Sequence, residues 1–458
     1  MLKRVLIANR GEIAVRIIRA CRNLGIGSVA VYSKEDAKAL HGKLAERRVC
    51  IGEGAVSNSY LHMESIITAA KNTECDAIHP GYGFLSENAA FVRLCEENGL
   101  IFVGPSADVI EQMGNKSNAR DQMRRAGVPV VPGSTEALYS AEKALELARE
   151  IGFPVMIKAS AGGGGRGMRE CFSEEDFISL FDTAQRESAN AFGDDAMYLE
   201  RLIEHPRHVE VQIMADQFGH VVSLGERDCS LQRNHQKLIE EAPSPAIDAE
   251  TARKMGEYAV LAAKSVGYVG AGTVEFIVSP EGAFYFMEMN TRIQVEHGVT
   301  ELVTGIDLVE EQLRVASGLP LSFTQEDVSV RGHAIECRIN AEIPEQNFMP
   351  SPGTVTKLHL PGGNGVRVDT ALYTGYRVPS NYDSMIAKLL VHGPTREAAI
   401  ARLRAALDET VIAGIDTNLS FQYRLTDTEA FQTGKTDTGF VEWFVSGGGR
   451  DEGEEDAR

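Results

Sequence analysis

The sequence lacks a positive balance of charge. It carries 65 acidic residues against 46 lysine and arginine residues, so its 458 residues have a formal net charge of -19. A protein whose main partner is a nucleic acid or an acidic membrane surface needs a positive footprint. We therefore expect neither partner, and we expect any anionic substrate to bind in a local basic pocket.

The cysteine pattern of a disulfide framework or a zinc site is also missing. The seven cysteines are an odd number, lie far apart and include no Cys-x-x-Cys pair. The apolar start "MLKRVLIANRGEIAV" is interrupted by Asn9, Arg10 and Glu12, and no apolar run approaches the length of a membrane span. We therefore expect a cytoplasmic protein without a signal peptide or a membrane anchor.

Strand and helix patterns alternate over residues 1–113. The apolar run "VLIA" at 5–8 is typical of a parallel strand, apolar residues at helical spacing follow it, and "SVAVY" at 28–32 again resembles a strand. Further alternation through "CDAIHP" and "LIFVG" predicts an open parallel sheet with helices on its faces, in a Rossmann-like domain.

The pattern changes after a linker at 114–130. Residues 131–203 contain a strand, a glycine loop, a second strand and a helix that begins at Ser173 with Asp176 three residues later, which predicts a small α+β flap. Long alternating strands over 204–445 predict a mainly antiparallel sheet, and the glycine-rich, acidic tail at 446–458 is predicted to be disordered. The predicted fold class is therefore α/β combined with α+β.

The glycine loop "GGGGRGM" at 162–168 suits a phosphate-binding flap. Its match to a dinucleotide fingerprint is weak because "MRECF" after it resembles a strand, and Met168 and Arg169 stand where a Walker A loop needs Lys and Ser or Thr. Residues without a Cβ can still turn several N–H groups toward one anion. A flexible surface hairpin is the alternative, and Lys158 on the preceding strand favours the polyphosphate interpretation.

Two acidic residues stand on neighbouring predicted strands. If Glu281 and Gly282 form a two-residue hairpin turn, Glu275 lies opposite Glu288. Opposed like charges cost roughly 0.2 to 1 kcal/mol, so a cation is expected between them, and Mg²⁺ with Asn290 as a further ligand is the natural candidate. The alternative is a solvated acidic edge.

Polar residues continue at every second position after these acids. Arg292 offers a planar fork for a small oxyanion, Gln294 adds a donor or acceptor, and Glu296 is the remaining base, although a strict strand through the whole row is not expected. A carboxylate beside a cationic clamp suits proton abstraction from a small, weakly acidic substrate. Further polar faces occur in "HAIECRIN", "RHVEVQIM" and "SLQRNHQK", where single histidines and a half-buried arginine are more often structural.

These features together resemble an ATP-grasp enzyme, and seven segments resemble the biotin carboxylase family along nearly the whole chain. The segments are "ANRGEIAVRIIRA", "HPGYGFLSEN", "KASAGGGGRGM", "ERDCSLQRNHQK", "EMNTRIQVEH", "ECRINAE" and "YDSMIAKL". The match is specific because "RIQVEH" separates this family from other ATP-grasp ligases.

The resemblance implies a role for each matching residue. ATP would contact Lys116, Lys158, Gly163, Gly164, Gly165, Glu200, Ile203, His208, Gln232, His235, Glu275 and Glu288, and Mg²⁺, with Mn²⁺ as an alternative, would bind Glu275, Glu288 and Asn290. Bicarbonate would bind Lys237, Arg292, Gln294, the Val295 backbone and Glu296, and Glu296 would deprotonate it. Arg338 would stabilise the biotin enolate, with Tyr82 and Gly83 shaping the biotin site.

The resemblance also implies the reaction and the partners. Bicarbonate would attack ATP to form carboxyphosphate, and the resulting CO₂ would carboxylate biotin. No biotin attachment site and no carboxyltransferase region is visible in the sequence, so we expect a separate biotin carboxyl carrier protein, carboxyltransferase subunits and a homodimer. Acetyl-CoA or another acyl-CoA is the expected final acceptor, with pyruvate as the alternative.

Few positions depart from the family pattern. Gly298 replaces the proline that usually follows the Glu-His pair at 296–297, which is expected to loosen the chain beside the base, and Asn115 replaces an aspartate before Lys116. Two other functions remain open at this stage. One is an ATP-grasp ligase that joins a carboxylate to an amine, which needs no bicarbonate clamp; the other is a nucleotide-binding subunit without catalysis.

Overall fold

The computed structural model describes residues 1–159, 168–192 and 194–448. The chain divides into two compact units: one comprises 1–114, 207–275 and the chain from 289 onward, and the other comprises 115–206 and 276–288. The domain boundaries drawn from the sequence stay a prediction. Among the described helices, none has both the length and the apolar composition needed to cross a lipid bilayer.

A parallel sheet in the order β3-β2-β1-β4-β5 begins the first unit. Its strands are β1 (Arg4–Ile7), β2 (Gly27–Ser33), β3 (Arg47–Gly52), β4 (Ala77–His79) and β5 (Ile101–Phe102), and the helices are α1 (Gly11–Asn23), α2 (Leu40–Leu44), α3 (Met63–Asn72), α4 (Ala89–Glu97) and α5 (Ala107–Gly114). Helix α1 forms because Ala14, Ile17, Ile18 and Cys21 recur at helical spacing and are all buried. The predicted βαβ alternation is confirmed.

The second unit contains a small antiparallel sheet in the order β7-β6-β8. Its elements are α6 (Lys116–Ala126), α7 (Ala141–Ile151), β6 (Val155–Ala159), β7 (Met168–Cys171), α8 (Glu174–Phe192) and β8 (Met197–Arg201). Buried Phe177 and Phe181 of α8 pack against the apolar side of this sheet. Helix α8 begins directly after Ser173, as the sequence predicted, and the Ser173 hydroxyl donates to the Asp176 carboxylate at 3.1 Å.

A large sheet follows in the first unit, with neighbours in the order β12-β9-β10-β11-β14-β21-β19, and three two-stranded sheets, β15-β16, β17-β20 and β18-β22, accompany it. The neighbouring pairs from β9 to β19 are antiparallel, which confirms the predicted sheet type. The strands over this part of the chain are β9 (Arg207–Ala215), β10 (Val221–Arg233), β11 (Gln236–Ala242), β12 (Gly270–Val278), β13 (Phe284–Asn290), β14 (His333–Asn340), β15 (Glu342–Ile343), β16 (Met349–Pro350), β17 (Gly353–Thr354), β18 (Lys357–His359), β19 (Val366–Thr370), β20 (Arg377–Val378), β21 (Met385–Gly393) and β22 (Val411–Ala413).

Helices accompany this sheet and end the described chain. They are α9 (Ala249–Ser265), α10 (His297–Thr304), α11 (Leu308–Ala316), α12 (Arg396–Glu409), α13 (Leu419–Leu425), α14 (Glu429–Gln432) and α15 (Phe440–Trp443), and short 3₁₀ helices occur at Val56–Asn58, Gln325–Asp327 and Pro344–Gln346. Buried Leu403 and Leu407 of α12 pack with Ile335 and Val391 of the sheet in one apolar core. Most of the tail predicted to be disordered, from residue 449 onward, lies outside the described residues.

The turn before β13 differs from the one that the sequence predicted. Ser279 N–H donates to the Ala283 carbonyl at 2.7 Å, and Gly282 N–H donates to the Ser279 carbonyl at 2.9 Å. The loop therefore has three residues rather than two, with Gly282 at a φ of +85°. The predicted two-residue turn is wrong, because loop length depends on hydrogen bonds that the residue pattern does not specify. The register counted from that turn therefore does not apply.

The turn between β10 and β11 has two residues with positive φ. Asn234 has a φ of +50° and His235 a φ of +62°, the combination of a type I′ hairpin turn. Gln232 pairs directly with Lys237 across this turn. The hairpin thus places the two predicted site residues side by side on one face of the sheet.

Candidate active site

Lys237 lies at the centre of a buried group of carboxylates in the first unit. Its Nζ is 2.6 Å from Glu210, 2.7 Å from Glu296 and 3.1 Å from Glu275. Burial lowers the pKa of Lys237, but the acidic groups around it, Glu210 and Glu275 among them, raise it well above its ordinary value. The ammonium group therefore stays charged and can attract a small anion.

Glu296 is held between two cations. Its Oε1 accepts a hydrogen bond from Lys237 at 2.7 Å, its Oε2 accepts one from Arg338 at 2.9 Å, and its side chain is 2% exposed. Burial raises the pKa of Glu296, but Lys237 and Arg338 hold it well below its ordinary value. The carboxylate is thus ionised and ready to accept a proton once an anionic ligand shares the charge of its cationic neighbours.

The polar residues that follow β13 do not continue the strand, as the sequence predicted. The strand ends at Asn290, and helix α10 begins at His297, so Arg292, Gln294 and Glu296 lie in an irregular connection. The Arg292 guanidinium donates to Glu87 at 2.9 Å and to Asn290 at 3.0 Å. Gln294 donates to Glu275 at 2.7 Å, so it belongs to the same polar group as Lys237.

Glu275 and Asn290 offer the ligand types that a magnesium ion takes. Asn290 Nδ2 donates to Glu275 Oε1 at 2.9 Å, so the amide and the carboxylate are in direct contact. Carboxylate and amide oxygens are the ligands that Mg²⁺ takes in proteins, and the amide oxygen that Asn290 would offer is the Oδ1 that accepts from Arg292 at 3.0 Å. Burial raises the pKa of Glu275, but Lys237 and His208 hold it well below its ordinary value, so the carboxylate is ionised.

His208 joins the same group from β9. Its Nε2 lies 3.1 Å from Glu275 Oε2. Burial lowers the pKa of His208, but Glu275 outweighs it and the pKa is raised. Gln232 is half-buried next to Lys237, whereas His235 is exposed at the tip of the hairpin.

Two of the predicted biotin residues, Tyr82 and Gly83, follow β4 of the N-terminal sheet, and the third, Arg338, lies on β14. Tyr82 is half-buried and its hydroxyl donates to the Glu12 carboxylate. Gly83 has a φ of +67°, a conformation that favours glycine.

The second unit holds the remaining predicted nucleotide residues. Lys116 Nζ lies 2.9 Å from Glu288 Oε2, and the Lys158 ammonium donates to Glu200. Burial raises the pKa of Glu200, but Lys158 and Arg120 lower it below its ordinary value. Ile203 is half-buried just after β8, and Gly163, Gly164 and Gly165 lie outside the described residues.

The sequence analysis missed Arg227 and Glu240. The fully buried Arg227 guanidinium donates to Glu210 at 2.6 Å and to Gln294 at 2.8 Å, so it orients two residues of the site. Glu240 accepts from Arg338 Nε at 2.6 Å, and burial raises its pKa to about 7. Charged residues in the interior of long predicted strands were the available signal, because such a residue needs a partner when it is buried.

Family comparisons cover almost the whole chain. Residues 1–110 match the family "Biotin carboxylase, N-terminal domain", residues 115–324 match "Carbamoyl-phosphate synthase L chain, ATP binding domain", and residues 336–443 match "Biotin carboxylase C-terminal domain". With the fold and site above, these matches define an ATP-dependent ligase of the ATP-grasp class. Within that class, the chain belongs to the biotin carboxylase family.

Individual relatives agree with this assignment over nearly their full lengths. The chain is 58% identical to biotin carboxylase 1 of Bacillus subtilis, covering 97% of this chain and 99% of the relative. A biotin carboxylase from Campylobacter jejuni, solved in a β-γ-ATP complex, is 49% identical with a TM-score of 0.90, covering 96% of this chain and 99% of that chain. The biotin carboxylase domain dimer of the Hydrogenobacter thermophilus 2-oxoglutarate carboxylase, solved with MgADP, ADP and bicarbonate, is 48% identical with a TM-score of 0.89, covering 96% of this chain and 97% of that chain.

Proposed function

We propose that the chain carboxylates biotin with bicarbonate at the expense of MgATP, and that Glu296 is the base. The observation that carries the proposal is the position of Glu296, buried between Lys237 at 2.7 Å and Arg338 at 2.9 Å. A carboxylate between two cations can take a proton from an acid whose conjugate anion those cations then stabilise. Bicarbonate is such an acid.

Bicarbonate binds beside Lys237, where Arg292, Gln294 and the Val295 backbone complete its site. The planar guanidinium of Arg292 suits two bicarbonate oxygens, because its donors form a fixed fork. Glu87 supports this arrangement by accepting from Arg292 Nε at 2.9 Å. When the anion shares the charge of Lys237, the pKa of Glu296 rises, and Glu296 can then remove the bicarbonate proton.

The deprotonated bicarbonate attacks the γ-phosphorus of ATP through oxygen, which gives carboxyphosphate and ADP. The groups that bind the nucleotide are Lys116, Lys158, the backbone at 163–165, Glu200, Ile203, His208, Gln232, His235, Glu275 and Glu288. When Mg²⁺ is bound by Glu275, Glu288 and Asn290, it neutralises phosphate charge during this transfer. Lys237 and Arg292 hold the attacking oxygen in place.

Carboxyphosphate then breaks its C–O bond to give CO₂ and phosphate. The phosphate takes the proton from biotin N1, and N1 forms a bond to the carbon of CO₂. Arg338 stabilises the negative charge that develops on the biotin ureido oxygen. Tyr82 and Gly83 shape the pocket in which the biotin ring lies.

The carboxylated biotin belongs to a separate biotin carboxyl carrier protein. Carboxyltransferase subunits then pass the carboxyl group to acetyl-CoA or another acyl-CoA, with pyruvate as the alternative acceptor. The dimer of the Hydrogenobacter thermophilus relative supports a homodimer for this chain. Purification of the native assembly, followed by identification of its biotinylated chain and of the acyl acceptor it serves, tests these assignments.

The activity itself is tested with the purified chain, ATP, Mg²⁺ and free biotin. We expect ADP formation that requires bicarbonate, together with transfer of labelled bicarbonate carbon into an acid-labile biotin adduct. ADP formation that ignores bicarbonate but responds to an added amine would instead support a carboxylate-amine ligase. The absence of any ATP cleavage, in a folded protein that binds ATP, would support a nucleotide-binding subunit without catalysis.

A further inference from the structure

A lysine outside the proposed substrate contacts touches the main chain of the catalytic segment. Lys388 lies in the middle of β21 and is completely buried. Its Nζ donates a hydrogen bond of 2.6 Å to the carbonyl oxygen of Val295. This carbonyl belongs to the peptide that joins Val295 to Glu296, so Lys388 fixes the plane of the peptide directly before the base.

Three carboxylates surround Lys388 without forming hydrogen bonds to it. Its Nζ is 3.8 Å from Glu12 Oε2 and 3.9 Å from both Glu336 Oε2 and Asp369 Oδ2. Burial lowers the pKa of Lys388, but Glu12 and Glu336 outweigh it and raise the pKa. Lys388 is therefore charged, and its direct hydrogen bond goes to a main-chain carbonyl although carboxylates lie nearby. A lysine needed only to neutralise buried acids would be expected to contact an acid directly.

The strand register places Lys388 beside the proposed enolate-stabilising arginine. Lys388 pairs directly with Arg338 on β14 and with Asp369 on β19. Directly paired residues project from the same face of a sheet. The burial of two neighbouring cations requires nearby negative charge, which Asp369 supplies beside Lys388 and Glu296 supplies beside Arg338.

Glu12 extends the arrangement to the other substrate. One of its oxygens accepts the hydroxyl hydrogen of Tyr82, and the other faces Lys388. The two contacts connect the segment that ends in Glu296 with the tyrosine proposed to shape the biotin pocket. Of the residues in this connection, only Tyr82 and Val295 have a role predicted from the sequence.

We propose that Lys388 is a positioning residue that holds the Val295–Glu296 peptide and, through Glu12, Tyr82, so that bicarbonate and biotin are aligned for carboxyl transfer. The inference rests on the proposed function, because it assigns bicarbonate to Val295 and Glu296 and biotin to Tyr82. It adds that the alignment depends on one buried ammonium group. Lys388 itself touches neither substrate.

The test replaces Lys388 with methionine, which keeps an unbranched side chain one atom shorter and removes the charge and the donor. We expect kcat/KM for bicarbonate to fall about tenfold or more, the effect of losing one hydrogen bond from a charged group. We also expect fewer carboxybiotin molecules per ADP formed, because misaligned CO₂ escapes before N1 attacks it. The KM for ATP should change less than about twofold, since no ATP contact is proposed for the Val295–Glu296 peptide.

Arg396→Met is the matched control. Arg396 is also largely buried and pairs with Glu241 at 2.7 Å, and its hydrogen bonds within the described residues go to Glu241, Phe431 and Gln432. It should lower the thermal stability without lowering the yield of carboxybiotin per ADP. A Lys388→Met protein with wild-type yield and wild-type kcat/KM for bicarbonate would overturn the proposal, and so would an equal loss of yield in Arg396→Met.

Glu12→Gln decides the question if Lys388→Met fails to fold. Glutamine has nearly the same shape as glutamate but does not offer two equivalent acceptors to Tyr82 and Lys388. A raised KM for biotin at an unchanged KM for ATP supports the proposal, and an unchanged KM for biotin refutes it. Wild-type protein that cleaves ATP without requiring bicarbonate would refute the proposed function itself, an outcome that these variants do not share.

Discussion

Gly298 occupies a crowded position beside the proposed base. It lies in the first turn of α10, and a Cβ built on it would be 2.3 Å from Leu390 Cδ2 and 3.3 Å from Glu336 Oε2. The sequence suggested that glycine loosens the chain here, but the residue is fully buried and packed against β21 and β14. The glycine therefore permits close packing of α10 on the sheet.

Gly298→Ala is expected to destabilise the protein by about 1–3 kcal/mol, because the added methyl group overlaps the Leu390 side chain. The better helix propensity of alanine recovers only about 1 kcal/mol. The measurement is chemical or thermal unfolding of Gly298→Ala, Leu390→Val and the double variant. The double variant should be more stable than the sum of the single changes predicts by about 1 kcal/mol. Strictly additive changes would show that the two residues do not compete for the same space.

Single residues were predictable where chemistry requires a particular side chain in a recognisable segment. Lys237, Glu296 and Arg338 were predicted from such segments, and the structure brings their side chains together. Arg227 and Lys388 were not predicted, because their partners Gln294 and Val295 belong to a segment distant in the sequence. Only the strand register shows which buried acid or carbonyl a buried cation reaches.

Helix α6 shows how an element supports a binding residue. The helix begins at Lys116, and the Asn115 side chain caps it by accepting from the Asn118 N–H at 3.0 Å. Asparagine and aspartate are comparable helix caps. The replacement of the family's aspartate by Asn115 therefore keeps the geometry that presents Lys116.

Asn115→Ala should cost about 1 kcal/mol of stability in the second unit, because the cap is lost. Hydrogen exchange measured by mass spectrometry or NMR should show faster exchange at the Asn118 amide. Asn115→Asp is the matched control and should keep slow exchange. Equal exchange rates in all three proteins would mean that the cap does not hold the first turn.

The elements differ in how far the sequence determined them. Alternating apolar residues predicted β9, β12, β13 and β14 because such strands are long and have one polar side. The predicted length of the loop before β13 was one residue too short, since Ser279 rather than Pro280 pairs with Ala283. Turn length depends on local hydrogen bonds that sequence periodicity does not specify, and a shift by one residue changes which side chains share a face.

At the scale of the whole molecule, buried histidines link stability to pH. Burial lowers the pKa of His41 to about 4, from an ordinary value of 6.5. The pKa of His41 is lower in the folded protein than in the unfolded chain. Between these two pKa values, His41 binds a proton in the unfolded chain and stays neutral in the folded protein. The stability that neutral His41 contributes is present above about pH 6.5 and is lost as the pH falls toward 4.

His41→Gln should therefore remove part of the acid sensitivity. Several buried carboxyl groups, including Glu240 with a pKa of about 7, act in the opposite direction, so the informative quantity is the difference between variant and wild type. We expect wild-type stability to fall relative to His41→Gln between about pH 6.5 and 4.5, with a slope approaching ~1.4 kcal/mol per pH unit. Parallel pH curves for the two proteins would show that His41 is protonated equally in both states.

The proposed carboxylation of biotin begins with one chemical event, the attack of a bicarbonate oxygen on the γ-phosphorus of ATP. The isotope content of the released phosphate tests it most directly. With bicarbonate labelled with ¹⁸O in unlabelled water, sampled before exchange with the solvent, the account predicts that each phosphate carries one oxygen from bicarbonate. Phosphate whose added oxygen comes from water would contradict it, because ATP would then be cleaved by hydrolysis and not by the ligand that Lys237, Arg292 and Glu296 are arranged to bind.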